Sequence, residues 1–294
     1  MMRRQATVFL ACLAATLVVP NVSVAAGPSQ QAAQFGAPTL GSAAAMIVSQ
    51  RTGEVLYEQN ATRVMPIASI TKLMSAMVVL EAGQSMSERL TITTGDIDNL
   101  KGTGSRLQVG STVTREELLN IMLMSSENRA ASALARNYPG GRQAFINAMN
   151  VKARMIGMAD TRFADSSGLD PRNISTPRDL VRLLSAAGTY PEIRDYSTRT
   201  ERYVNVGSGQ LRYGNSNGLV REDGWHVTLS KTGYIREAGR CLVMETTVGD
   251  EPVVMVLLNA QGAHTRVADA KRVKAWLENA GGVQRVAGMS QHGG

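Results

Sequence analysis

Cysteine is nearly absent from this chain of 294 residues, which carries only Cys12 and Cys241. Cys12 falls in an N-terminal apolar run, so the folded part holds one thiol and no intramolecular disulfide can staple it. Cys241 sits in Arg240-Cys241-Leu242-Val243-Met244. That run reads as a strand, where a small buried core residue fits better than a nucleophile. Histidine is as scarce, with 3 residues at His226, His264 and His292. No pair of them has metal-ligand spacing, and a His-dependent serine triad is poorly supplied. Aromatics make up 4% of the chain, so its 15 Met and its Ala must fill much of the core. No internal repeat of about 20–50 residues is present, which excludes solenoids and propellers.

Charge is not concentrated either. The net charge is +7, but the basic residues are scattered and no nucleic-acid motif accompanies them, so no nucleic-acid partner is expected. A mild attraction to an anionic envelope polymer and an ordinary solvated surface both fit this distribution.

What is present begins with an address. Arg3 and Arg4 precede an apolar run from Ala6 to Val19, and small residues follow at Ser23-Val24-Ala25-Ala26. This order is that of a cleaved secretory leader over residues 1–26. The run is shorter than the roughly 20 apolar residues that span a bilayer. Export to the periplasm is expected, without a stable membrane anchor.

Residues 27–40, rich in Gln, Ala, Gly, Pro and Ser, read as a flexible lead-in. A hairpin follows from Ala43 to Tyr57, turning near Arg51-Thr52-Gly53. Pro66 is expected to open a buried helix that Gly83 stops. Thr114 with Glu117 forms a capping box ahead of Leu118–Met124. Further helices are expected from Asn128 to Asn137, from Arg142 to Ile156, and from Pro177 to Ala187 behind Thr176. Strand character returns at His226–Gly233, Arg240–Thr247 and Pro252–Leu258, and a last helix runs from Thr265 to Ala280. The fold class is therefore α/β (α+β): an antiparallel sheet of N-terminal hairpin and C-terminal strands, flanked by helices. An all-helical lobe at about 91–209 lies beside it, within one domain over 41–281. Residues 282–294 are Gly-rich and expected to form a flexible tail.

Three short motifs carry chemistry. Ser69-Ile70-Thr71-Lys72 puts a hydroxyl and an amine on one helix face, where a lysine of lowered pKa can take the serine's proton. Alone the pattern is weak, because chance supplies about 0.4 matches in a chain of this composition. Ser126-Glu127-Asn128 lies at a break between two helices, where an N-cap is the plainer reading. Lys231-Thr232-Gly233 ends a strand, where the glycine leaves room for a substrate lying along it. The motifs stand in this order, 57 and then 105 residues apart.

Ser-x-x-Lys, Ser-x-Asn and Lys-Thr-Gly in that order are the set shared by penicillin-binding proteins and serine β-lactamases. Thr52-Gly53-Glu54-Val55-Leu56-Tyr57 and Met65-Pro66-Ile67-Ala68-Ser69-Ile70-Thr71-Lys72 resemble the low-molecular-mass D-alanyl-D-alanine peptidases. Leu123–Ser132 and Tyr138-Pro139-Gly140-Gly141 resemble their endopeptidase branch, and Thr161-Arg162-Phe163, Ser167-Gly168-Leu169 and Asn215-Ser216-Asn217 also fit. The resemblance implies a serine DD-endopeptidase that cuts D-alanyl cross-links between peptidoglycan stem peptides and is acylated by β-lactam inhibitors. It implies Ser69 as nucleophile, Lys72 as base and Ser126 as proton relay. Asn128, Lys231, Thr232 and Gly233 would bind substrate, and backbone N–H groups of Ser69 and Tyr234 would form the oxyanion hole. No cofactor and no metal is expected.

Three other readings share these motifs. A D-alanyl-D-alanine carboxypeptidase uses the same site on pentapeptides, although Glu127 replaces the glycine common there. A class A β-lactamase needs a Glu-x-x-Leu/Val-Asn segment, and Glu201-Arg202-Tyr203-Val204-Asn205 matches the string, but too late in the chain and in a strand-like stretch. A non-catalytic wall-binding module on the same scaffold would have no need of all the reacting residues.

Overall fold

A computed structural model describes residues 36–207 and 209–290. The leader and most of the lead-in lie outside them. In chain order the first elements are β1 (Ala44–Ser49), β2 (Val55–Gln59), β3 (Met65–Pro66) and α1 (Thr71–Glu81). Next come β4 (Arg89–Thr91), β5 (Thr112–Thr114), α2 (Arg115–Met124), α3 (Asn128–Arg136) and α4 (Gly141–Met155). Then follow β6 (Ile174–Ser175), α5 (Pro177–Ala187), α6 (Pro191–Thr198), β7 (Glu201–Asn205) and β8 (Gln210–Gly214). The last are β9 (His226–Ile235), β10 (Gly239–Val248), β11 (Glu251–Ala260) and α7 (Thr265–Ser290).

The main sheet is antiparallel with strand order β2-β1-β11-β10-β9. The two ends of the described chain meet in its centre, where Met46 pairs with Val256 and Val48 with Val254. Side chains alternate across the pleat. Ala44, Met46, Val48, Val254, Val256 and Leu258 face the large core shared with α1–α6. Ala45, Ile47, Val253, Met255 and Leu257 face a second core under α7 with Ala270 and Val273. Both faces are covered, which explains why these strands read as continuous apolar runs. Methionines occupy the volume that aromatics would otherwise fill, with Met74, Met77, Met122, Met124, Met149 and Met158 all buried. Among the described residues, no helix is long and apolar enough to cross a membrane.

The expected capping box exists: Thr114 accepts from the Glu117 N–H while the Glu117 carboxylate accepts from Thr114. Such a cap is worth about 1 kcal/mol. Thr176 caps α5 in the same way, accepting from Asp179 N at 3.1 Å.

Three expectations about elements need correction. Pro66 does not open the first helix; it lies in β3, paired with Ile174, and a 3₁₀ turn at Ala68–Ile70 leads into α1. The pairing with distant β6 outweighs the local preference of proline for a helix start. Helix α6 went unread, although Pro191 at its first turn and Glu192 behind it are start signals. The last helix continues across Gly281-Gly282 to Ser290, past the end expected at Ala280, because glycine lowers helix propensity by only about 1 kcal/mol and no proline follows.

Candidate active site

The Ser-x-x-Lys pair is carried by the 3₁₀ turn and the first turn of α1. Ala68, just before Ser69, has φ 48°, a left-handed conformation that costs a residue with a Cβ on the order of 1–3 kcal/mol. Two glycines make room for this turn. A Cβ on Gly168, whose φ is +85°, would stand 1.9 Å from the Ala68 carbonyl oxygen. One on Gly233 would stand 3.0 Å from Ser69 N and 3.1 Å from Ala68 Cβ. Gly233 therefore serves to let β9 press against the turn that carries Ser69. The sequence reading, in which it clears a path for substrate, missed that role. The same approach places the Ser69 backbone beside the strand that carries Tyr234.

Lys72 is fully buried. Its Nζ lies 2.8 Å from Ser69 Oγ, 2.8 Å from Asn128 Oδ1 and 2.6 Å from the Ser167 carbonyl oxygen. Burial lowers its pKa to about 8, against the opposing pull of Asp165 and then Glu127. In the neutral amine two N–H bonds serve the two carbonyl acceptors, which turns the lone pair toward Ser69. The second cation, Lys231, is also buried, and its pKa falls well below the ordinary value, through burial first and then Lys72 and Arg266. Two buried ammoniums side by side disfavour each other, and it is Lys231 that is driven toward the neutral amine.

The loop at 165–169 clamps this arrangement. Asp165 accepts from Gly168 N at 2.8 Å and from Ser167 Oγ at 2.5 Å, and Asn173 donates to it as well. One turn along α1, Ser75 Oγ donates to the Ser166 carbonyl at 2.7 Å. The opposite wall comes from the break between α2 and α3. Ser126 has φ 65° and is partly exposed, and its hydroxyl makes no hydrogen bond among the described residues. Glu127 caps α3 and accepts from Ser105 Oγ, and burial raises its pKa. Asn128 Nδ2 donates to Thr103 Oγ1 at 3.0 Å, which ties the side chain to the loop before α2. That loop also reaches β9 and β10, since Lys101 pairs at 2.5 Å with Glu237 in the turn between them.

The third motif lies along β9. Thr232 Oγ1 bonds Ser216 Oγ at 2.8 Å, and Ser216 N donates to the Met124 carbonyl at 2.9 Å. Behind the strand, Arg266 on α7 donates to the Gly233 carbonyl at 3.3 Å. Tyr234 turns its exposed ring outward under Arg240, 4.8 Å away. The structure thus joins Ser69, Lys72 and Asn128 by direct hydrogen bonds, sets Gly233 against the Ser69 turn, and links Thr232 through Ser216 to Met124, two residues before Ser126. Asp165 and Thr103 are residues that motif reasoning did not single out, and Gly168 and Ser216, named there only as parts of matching runs, were given no role. Cys241 is buried on β10 with its thiol pushed up to about 11 by burial, a core residue as expected.

This arrangement has known counterparts. A family model for D-alanyl-D-alanine carboxypeptidase matches residues 30–262. The chain belongs to that family. It is a serine-type peptidase of the penicillin-binding fold. It is 45% identical over 275 residues to a D-alanyl-D-alanine endopeptidase of Pseudomonas aeruginosa, covering 92% of this chain and 86% of that one. A D-alanyl-D-alanine endopeptidase of Escherichia coli is 43% identical, with 92% and 88% covered. Among solved structures, the Streptomyces DD-transpeptidase superposes with a TM-score of 0.75 at 28% identity, covering 81% of this chain and 97% of that one. A penicillin-binding protein of Listeria monocytogenes in its ampicillin-bound form gives 0.71 at 31%, covering 81% and 97%. The β-lactamase-like string at Glu201 has no place in the site: it lies on β7, and the Glu201 carboxylate holds Arg212 at 2.6 Å.

Proposed function

We propose that this peptidase is a DD-endopeptidase that cuts D-alanyl cross-links between peptidoglycan stem peptides through an acyl-enzyme on Ser69. The observation that carries the chemistry is the position of Lys72 Nζ, 2.8 Å from Ser69 Oγ and fully buried. The endopeptidase branch is supported by the relatives at 45% and 43% identity, both named for that activity.

Neutral Lys72 takes the Ser69 proton as Oγ attacks the D-alanyl carbonyl. Backbone N–H groups of Ser69 and Tyr234 meet the developing oxyanion. The C–N bond then breaks, and Ser126, with its hydroxyl uncommitted, relays the proton held by Lys72: it gives its own proton to the leaving amine and takes one from Lys72 in return. Asn128 orients Lys72 through Oδ1 and keeps one N–H for the substrate amide. Lys231 and Thr232 hold a carboxylate or amide oxygen along β9. Water finally releases the acyl group, and a β-lactam acylates the same serine. The order of features over residues 1–26 supports export to the periplasm, with peptidoglycan as the partner.

The test is to incubate the mature protein with cross-linked muropeptide dimers and with pentapeptide monomers, and to separate the products. Dimers cut to monomers, with Ser69→Ala inert, are expected. Loss of only the terminal D-alanine from pentapeptides would make this a carboxypeptidase.

A further inference from the structure

Ser216 borders a second cavity. The residues just before it, Gly214 and Asn215, line an open cleft of about 680 Å³ whose other walls carry Arg106, Arg212, Arg221 and Glu201. Ser216 is bonded to Thr232 on one side and to the Met124 carbonyl, two residues before Ser126, on the other. Arg106 follows Ser105, whose hydroxyl binds Glu127. The cleft therefore adjoins the segments that carry Met124 to Glu127 and Thr232.

Its charge is unbalanced. Three guanidiniums face one carboxylate, and Glu201 is already taken by Arg212 at 2.6 Å. Arg106 lies over the Tyr213 ring at 4.2 Å and donates to the Arg212 carbonyl. Arg221 donates to the Asn215 carbonyl at 3.2 Å. Neither Arg106 nor Arg221 meets a carboxylate among the described residues.

We propose that this cleft receives the peptide that leaves when Ser69 is acylated, and that Arg106 and Arg221 bind its free carboxylates. The inference rests on the reading of the site as a cross-link hydrolase. If Ser126 protonates the leaving amine, the leaving chain emerges on the Ser126 side, next to the segment whose Gly214 and Asn215 line the cleft. A carboxypeptidase releases a single D-alanine there and needs no such space. A cross-link releases a whole stem peptide with several carboxylates, and the planar guanidinium pairs with a carboxylate through two parallel N–H bonds. The exposed position of the arginines makes the attraction sensitive to salt.

The cleft can be tested apart from catalysis by titrating full-length mature Ser69→Ala protein with an uncross-linked stem tetrapeptide, using calorimetry. Arg106→Gln and Arg221→Gln should each weaken binding about threefold, as expected of exposed ion pairs. Glu201→Gln should tighten it, because it frees Arg212. Amidating the peptide's carboxylates should weaken binding in the parent protein and abolish the difference between it and Arg221→Gln. Arg106 also supports β8, so Arg221→Gln, which leaves that strand alone, keeps the test valid if the first variant is disturbed. In the active enzyme, Arg221→Gln should lower kcat/KM for dimers more than it lowers the rate of penicillin acylation. Equal binding by parent, Arg221→Gln and Glu201→Gln proteins, or equal binding of the amidated peptide, would overturn the proposal. If the titrations behave as expected but the wild-type enzyme leaves dimers intact, the endopeptidase reading fails and the carboxylate subsite stands.

Discussion

Lys72 Nζ lies 2.6 Å from the carbonyl oxygen of Ser167, 95 residues further along the chain. That bond and the one to Asn128 Oδ1 occupy two of the amine's positions, and Ser69 Oγ takes the third. Ser69 and Lys72 are thus set by backbone from one loop and by a side chain at the start of α3, and the proposed roles of the two residues have measurable consequences.

Acylation by a β-lactam should depend on the neutral form of Lys72. With a pKa of about 8, lowered by burial, only about a tenth of the enzyme is in that form at pH 7. The acylation rate should rise with pH to a plateau with a midpoint of about 8, measured by stopped-flow with a labelled penicillin. Lys72→Ala should lose about a thousandfold at the plateau, the usual worth of a positioned base.

Asp165 pulls the Lys72 pKa upward against burial. Asp165→Asn removes that charge and should move the midpoint of the acylation profile to lower pH. A profile unmoved by this change would show that Lys72 does not set it.

Gly168→Ala should be among the most damaging single substitutions. Its Cβ would stand 1.9 Å from the Ala68 carbonyl oxygen, at a φ of +85°. Overpacking and backbone strain together should cost about 3 kcal/mol or more, read by denaturant unfolding.

Gly233→Ala meets softer limits, with contacts of 3.0–3.1 Å to the Ser69 turn. It should cost about 1–2 kcal/mol of stability. By displacing Ser69 a few tenths of an ångström, it should also slow acylation about tenfold. Equal acylation by Gly233→Ala and wild-type protein would show that β9 does not position the nucleophile.

Cys241 should stay unreactive toward a thiol reagent in the native protein and become reactive on unfolding. It is fully buried, and its thiol is raised to about 11. Only the thiolate reacts.

Much of this was legible because the reacting side chains come in local motifs. Ser69 and Lys72 share one helical face, Ser126 and Asn128 flank a helix break, and Lys231 and Thr232 are neighbours on one strand. The helices and the continuous apolar strands were readable for the same reason: caps, apolar periods and apolar runs are written in consecutive residues. What escaped was set by contacts distant in sequence. The carbonyl of Ser167 accepts from Lys72 whatever side chain that residue carries, so no residue type announces it. Pro66 reads as a helix start until Ile174 pairs with it, 108 positions later. Gly168 reads as an ordinary turn glycine and Gly233 as an ordinary strand glycine until the fold brings both against Ala68 and Ser69. The arginines of the second cleft come from three separate segments, and nothing in their spacing unites them.

The central claim is that Ser69 is the nucleophile and Lys72 its base. It is tested most directly by peptide mapping of the mature protein after brief exposure to a β-lactam. The account predicts one adduct, on Ser69, absent from Ser69→Ala protein and formed far more slowly in Lys72→Ala. An adduct on another residue, or one formed at the wild-type rate without Lys72, would contradict it.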